Sequence, residues 1–251
     1  PILDFLKKES GIDRFWGYGS AAIEANFATQ YGIYSLDGYD PLYPRRYGEF
    51  IQASKNGKIA TEFTTQTRSD AFVAPGFGET GFKVLDLLGV KYILDRVENG
   101  SSEKTFPEDR FKLIYEKDGW KVFENLKVLP RAFLVSDYKV FRSNEEFEKI
   151  FFDKNFDPPK TVLLEEEPIL YSSSDPDLSG ESRSSRQART VNLLSYKPNE
   201  IVFSTSNQID QFLFLSDTYY PGWKAYVYPE GSRRFDEKET KIYRANYAFR
   251  A

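Results

Sequence analysis

FLFLSDTYYPGWKAYVYPEGSRRFDEKETKIYRANYAFRA, residues 212–251, decides the fold class of this chain. Phe212–Leu215 is an apolar run and Trp223–Tyr228 an aromatic one. Between them, Tyr219-Tyr220-Pro221-Gly222-Trp223 places Pro second and Gly third in a tight turn. Pro presets its backbone angle and Gly accepts φ > 0, as a type II turn demands. The stretch predicts a β-hairpin walled by aromatics. Working outward, Val191–Tyr196, Ile201–Thr205 and Lys241–Arg244 read as further strands, and Tyr247–Ala251 as a strand that stops without a turn. Short strands at this spacing predict an antiparallel β-sandwich.

Residues 171–189 (YSSSDPDLSGESRSSRQAR) differ in kind, with Leu178 the one large apolar residue between Tyr171 and Ala188. This is the composition of a linker or long exposed loop. Before it, helix and strand alternate. Ile2–Glu9 reads as a helix, and Asp13–Trp16 and Ile33–Leu36 as short strands. Asp40-Pro41 predicts a helix running to Ser54, with Asp as cap and Pro in the first turn. Gly81–Leu88 reads as a short helix stopped by Gly89, and Val90–Leu94 as a strand. Asp118-Gly119 predicts a two-residue hairpin over Phe111–Leu126, pairing Ile114 with Phe123 and Tyr115 with Val122, apolar and therefore covered on both faces. Arg131–Val135 and Thr161–Leu164 read as strands. Ser143 with Glu146 is a capping box opening a helix. The expected class is α+β: a mixed α/β domain over 1–170, a linker over 171–189, and a truncated antiparallel β-sandwich domain over 190–251.

The chain has 22 Phe, 17 Tyr and 3 Trp, ample for a sizeable core. Its net charge of −4 argues against a nucleic-acid partner. There is no cysteine, hence no disulfide or thiol chemistry, and no histidine, the commonest general base and metal ligand. Methionine is absent too, position 1 included, which predicts a fragment, a processed chain or a cloned domain. The most apolar window, Val84–Leu94, is broken by Asp86, Gly89 and Lys91 and falls far short of the roughly 20 residues of a membrane span.

Gly76-Phe77-Gly78-Glu79-Thr80-Gly81 fits G-x-G-x-x-G, opens a helix, and is followed by Asp95 at the end of the next strand, the layout of a dinucleotide site. Against it stand Pro75 at the strand end, a helix of about two turns before Gly89, and no further strand–helix repeats. The plainer reading is a Gly-rich loop into a packing helix. Asp175-Pro176-Asp177 opens like a calcium loop, but Arg186 stands where the bidentate acid belongs. Glu165-Glu166-Glu167 reads as a solvated strand edge, because hydrolytic carboxylate pairs come from separate elements facing one cleft. Asn99-Gly100-Ser101 reads as a turn. Tyr219, Tyr220, Trp223 and Tyr226, with Tyr228, gather at one hairpin, and such faces stack on sugar rings when they do not close a core. Arg45 and Arg46 suit phosphate or an anionic headgroup, or simply an exposed helix face. No catalytic residue, metal ligand or cofactor is assigned.

Several separated stretches resemble, in order, the extracytoplasmic C-terminal region of the YfhO-like multipass bacterial membrane proteins. They are Gly38-Tyr39-Asp40-Pro41-Leu42 with Arg46-Tyr47; Leu87–Leu94; Leu129-Pro130-Arg131-Ala132-Phe133-Leu134-Val135; Phe156–Val162; and the terminal block through Ser216-Asp217-Thr218-Tyr219-Tyr220-Pro221-Gly222-Trp223 to Phe249-Arg250. The resemblance implies a parent with many membrane helices that is similar to glycosyltransferases of the GT-C type. These pass a sugar from a polyprenyl-phosphate carrier to a cell-envelope polymer, teichoic acids among them. The acid that activates the acceptor there lies near the first membrane helices, and no position here matches it. Pro229–Glu239 is longer than the family's short turn. The expected partners are therefore the parent's own transmembrane region and a cell-envelope glycan or lipid-linked sugar, and the expected location is the outer face of the membrane. A free-standing glycan-binding or structural domain, and a nucleotide-binding enzyme using Gly76–Gly81, are the alternatives.

Overall fold

The computed structural model describes residues 2–23, 26–38, 43–59, 78–100, 104–169, 190–206, 210–228 and 237–251. The order of elements begins α1 (Ile2–Glu9), β1 (Arg14–Gly17), α2 (Phe27–Tyr31), β2 (Tyr34–Ser35), α3 (Arg45–Ala53), α4 (Glu79–Leu87), β3 (Val90–Arg96), β4 (Phe111–Lys117) and β5 (Trp120–Asn125). It continues with β6 (Ala132–Val135), β7 (Asp137–Val140), α5 (Asn144–Phe151), β8 (Thr161–Leu164), β9 (Thr190–Lys197), β10 (Glu200–Ser206), β11 (Phe212–Thr218), β12 (Ala225–Val227), β13 (Lys238–Thr240), β14 (Arg244–Ala245) and β15 (Phe249–Arg250). The class is α+β. None of the described helices is long and apolar enough to cross a membrane.

A five-stranded sheet has the order β2-β1-β3-β5-β4. β1 runs parallel to β2 and β3, and the β4–β5 hairpin adds antiparallel. Alternation along its central strands gives it two covered faces. Phe15, Tyr92 and Leu94 pack with Ile2 and Leu6 of α1, while Trp16 and Ile93 face the main core. Ile2 and Leu6 are buried because they lie four residues apart on one helix face.

A six-stranded sheet has the order β6-β11-β15-β14-β8-β7. It takes three strands from before residue 170 and three from after 190. Phe214 and Phe249 share one core with Trp16, Phe50 and Phe147, so the stretch 171–189 separates segments of sequence that lie in the same sheet. Edge-to-face rings fill this core: Phe50 meets Phe249 at 5.1 Å and 88°. α5 begins as its capping box predicts. Ser143 Oγ accepts from the Glu146 N–H at 3.2 Å. The Glu146 carboxylate reaches one residue further back, accepting from the Arg142 N–H at 2.8 Å.

Two predicted pairings are corrected. The turn at Pro221-Gly222 is present, with Gly222 at φ 103. It does not join two paired strands, because both edges of β11 are already taken by β6 and β15. β12 pairs instead with β13. In the β4–β5 hairpin, Asp118 and Gly119 both have positive φ, as the turn requires, and Tyr115 pairs Val122. A bulge between Leu113 and Tyr115 then gives Phe123 to Leu113 and leaves Ile114 unpaired. Leu113 and Ile114 are exposed, so the hairpin is not covered on both sides. The helix expected from Asp40 begins, within the described residues, at Arg45 after Pro44. Asp40-Pro41, Gly76-Phe77, Asp175–Gly180 and Arg186 lie outside the described residues.

Candidate functional site

Asp217, in β11, gathers three guanidinium groups. Arg14 Nη2 donates to its Oδ1 at 3.2 Å and Arg250 Nη2 to its Oδ2 at 3.1 Å, while Arg131 Nη2 also donates to Oδ1. The Tyr196 hydroxyl donates to Oδ2 at 2.8 Å. Arg14 extends the knot to backbone, donating to Leu88 O at 2.6 Å and Ser216 O at 3.1 Å. Arg131 donates to Ile12 O at 2.9 Å. The cluster thus bolts β1 and the α4–β3 turn of the five-stranded sheet to β11 and β15 of the six-stranded one. Gly89 lets this happen: a Cβ there would sit 2.8 Å from Arg131 Cδ. Burial pushes the Asp217 carboxyl up, but the charges of Arg131 and Arg14 outweigh it and hold the group below the usual range. Burial, with Arg131 beside it, lowers Arg14.

Near this knot sit Asp37 and Tyr47. Tyr47 donates to Leu36 O at 3.1 Å, and burial pushes its hydroxyl up to about 12. Asp37 is buried, its Oδ1 has no hydrogen-bond partner, and desolvation raises its carboxyl to about 7.

The aromatic candidates divide. Arg250 covers the Trp223 ring at 4.5 Å and Arg244 the Tyr219 ring at 4.8 Å, so each has a guanidinium against it. Tyr220 is 63% exposed, and Tyr226, Val227 and Tyr228 are exposed as well. Arg45 and Arg46, expected to meet phosphate or an anionic headgroup, each face a carboxylate: Arg45 Nε lies 2.7 Å from Glu49 Oε1 and Arg46 Nη1 2.7 Å from Glu165 Oε1.

That last pair joins the two sets of candidates. Glu165 follows β8 and also accepts from Arg244 Nη1 at 3.0 Å. Glu165, Glu166, Tyr219 and Arg244 line a cleft of about 310 Å³. Residues read from the sequence as a solvated acidic edge therefore share a concavity with one of the predicted aromatic contacts. Glu166 is held from outside by Lys241 Nζ at 2.6 Å. A second cleft, of about 330 Å³, lies at the start of α4 and includes Lys83, Lys127, Lys154 and Arg110. Two of its cations are engaged: Lys83 donates to Phe151 O at 3.0 Å and Asp153 O at 2.7 Å, and Arg110 pairs Asp86.

The dinucleotide layout loses its acid. Asp95 is 0% exposed and accepts from Asn99 Nδ2 at 2.7 Å, out of reach of a ribose. Asn99 also donates to Tyr18 O at 3.0 Å and accepts from the Ser20 N–H and hydroxyl, filling the crevice beyond β1 and β3 where a parallel sheet would take a ligand. Asp217 and Arg14 were not singled out from sequence. The available signal was a carboxylate inside an apolar strand, Phe212–Thr218, where a buried charge demands partners. Comparison with protein-family models, with curated proteins and with solved structures returned no match to this chain.

Proposed function

We propose that this chain is an extracytoplasmic module of a multipass bacterial membrane protein resembling lipid-linked-sugar-dependent glycosyltransferases. In this reading it supports or selects substrate, and the transfer reaction belongs to the membrane part. The observation that carries the reading is where the resembling stretches meet. Arg131 comes from 129–135, Asp217 and Arg250 from the terminal block, and the Leu88 carbonyl from 87–94, and all four converge on one buried knot. Residues that arrive from separate resembling segments are spent on holding the module in one shape. That is what a rigid substrate-presenting body requires, and Asp217, saturated by three guanidiniums and a hydroxyl, is not placed to act as a base.

The exposure of Tyr220, Tyr226 and Tyr228 favours a second reading, a glycan-binding domain that stands alone. The two part at the gene. The first expects segments of roughly 20 apolar residues encoded beside this one, the second none. The functional test assays transfer from a polyprenyl-phosphate sugar by membranes holding the complete parent and by the 251-residue chain alone. Transfer by the parent membranes only is the expected result. Turnover by the chain alone overturns the proposal.

A further inference from the structure

The cleft lined by Glu165, Glu166, Tyr219 and Arg244 has the chemistry of a sugar site. A pyranose offers hydroxyls that both donate and accept, and an apolar face of C–H groups. Carboxylates can only accept and a guanidinium can only donate, so a lining of both matches vicinal hydroxyls in either role. Tyr219 lines the cleft with a ring of the kind that meets sugar C–H faces, and Arg244 lies against one face of it. The volume of about 310 Å³ sits at the small end of ligand clefts, which start at about 300 Å³, the scale of one or two sugar rings.

The charges decide between a neutral and an anionic ligand. Arg46 and Arg244 are engaged with Glu165, and Lys241 with Glu166. Each cation of this group is already charge-paired with a carboxylate, and an anion would face two carboxylates. The acids are also pre-oriented. Glu165 lies between two guanidiniums, and the segment that follows is pinned where the Tyr243 hydroxyl accepts from the Ile169 N–H at 2.8 Å. Groups already fixed lose little freedom when a ligand arrives. Glu165 Oε1 is buried, so the oxygen that faces a ligand is Oε2, which takes one hydrogen bond from Arg244 and keeps a second lone pair.

We propose that this cleft binds a neutral pyranose unit, with Glu165 and Glu166 accepting from its hydroxyls, Arg244 donating, and Tyr219 in ring contact. The assignment rests on the reading above only for the source of the sugar, a cell-envelope glycan. It is tested on the 251-residue chain by calorimetric and NMR titration with maltotriose, chitotriose and inorganic phosphate. At least one trisaccharide is expected to bind with a Kd of about 1 mM. Glu166→Ala and Tyr219→Ala are expected to weaken it at least about tenfold. Glu166→Ala, at an exposed residue, leaves the fold intact by circular dichroism and keeps the test valid if Tyr219→Ala does not fold. Tyr220→Ala and Tyr226→Ala are expected to leave binding unchanged. No trisaccharide binding up to about 20 mM overturns the proposal. So does loss of binding in the Tyr220 or Tyr226 variants alone, which moves the contact to those exposed tyrosines, and so does tighter binding of phosphate. None of these outcomes touches the membrane-parent reading, which stands or falls on the neighbouring gene and the transfer assay.

Discussion

Two clusters in this molecule use the same chemistry, guanidinium on carboxylate, and differ in how much water they see. Around Asp217 the side chains are 2–15% exposed. Around Glu165 and Glu166 exposure reaches 54%. Buried, such a pair must be complete, since a charge left without its partner cannot be rehydrated. Half-open, it is worth little to stability but leaves lone pairs available to a ligand. The first cluster therefore joins the two sheets, and the second is the one proposed to bind.

The comparison is broken most severely at Asp217. Asp217→Ala leaves three buried guanidiniums facing one another, and loss of stability is expected at about 3–5 kcal/mol in urea unfolding. A change of less than about 1 kcal/mol would place the knot in the exposed class.

Two aspartates near the knot give opposite pH signatures. Asp217 is depressed, so its contribution is complete above the ordinary carboxylate pKa of about 4 and is lost as pH falls through its lower folded value. Asp37 is raised to about 7. It binds a proton in the folded state that the unfolded chain gives up from about pH 4, so stability declines as pH rises between about 4 and 7. Asp37→Asn removes that slope. Relative to wild type it is expected to gain on the order of 4 kcal/mol at pH 8 and almost nothing at pH 4, read from parallel melts.

A smaller effect is expected at Tyr247, a buried non-glycine residue at φ 78 whose hydroxyl donates to Glu49 Oε2 at 2.6 Å. Tyr247→Phe leaves a buried carboxylate oxygen short of a donor, a loss of about 1–3 kcal/mol in urea unfolding. Lys241→Ala is expected to leave the melting temperature unchanged, since the Lys241–Glu166 pair lies in water. A clear fall in melting temperature would give the open cluster a structural role it is not expected to have.

Much of the fold was legible where local chemistry decides it. The Asp118-Gly119 turn, the Ser143–Glu146 cap and the Ile2–Glu9 helix each follow from spacing and backbone preference. Strand partners were not legible, because β11 accepts β6 and β15 from distant segments and no local signal ranks those edges against the nearer β12. The bulge beside Ile114 was hidden for the same reason: an extra residue changes no composition. At the site, Tyr219 was readable as an exposed-type aromatic beside a turn. Its union with Glu165, Arg46 and Arg244 depends on three elements meeting, which a single strand pattern does not encode.

The most direct test of the division between a holding knot and a binding cleft is a sugar titration of Glu166→Ala beside a melt of the same protein. The account predicts an unchanged melting temperature and trisaccharide binding weakened at least about tenfold. Undiminished binding, or a protein that melts well below wild type, would contradict it.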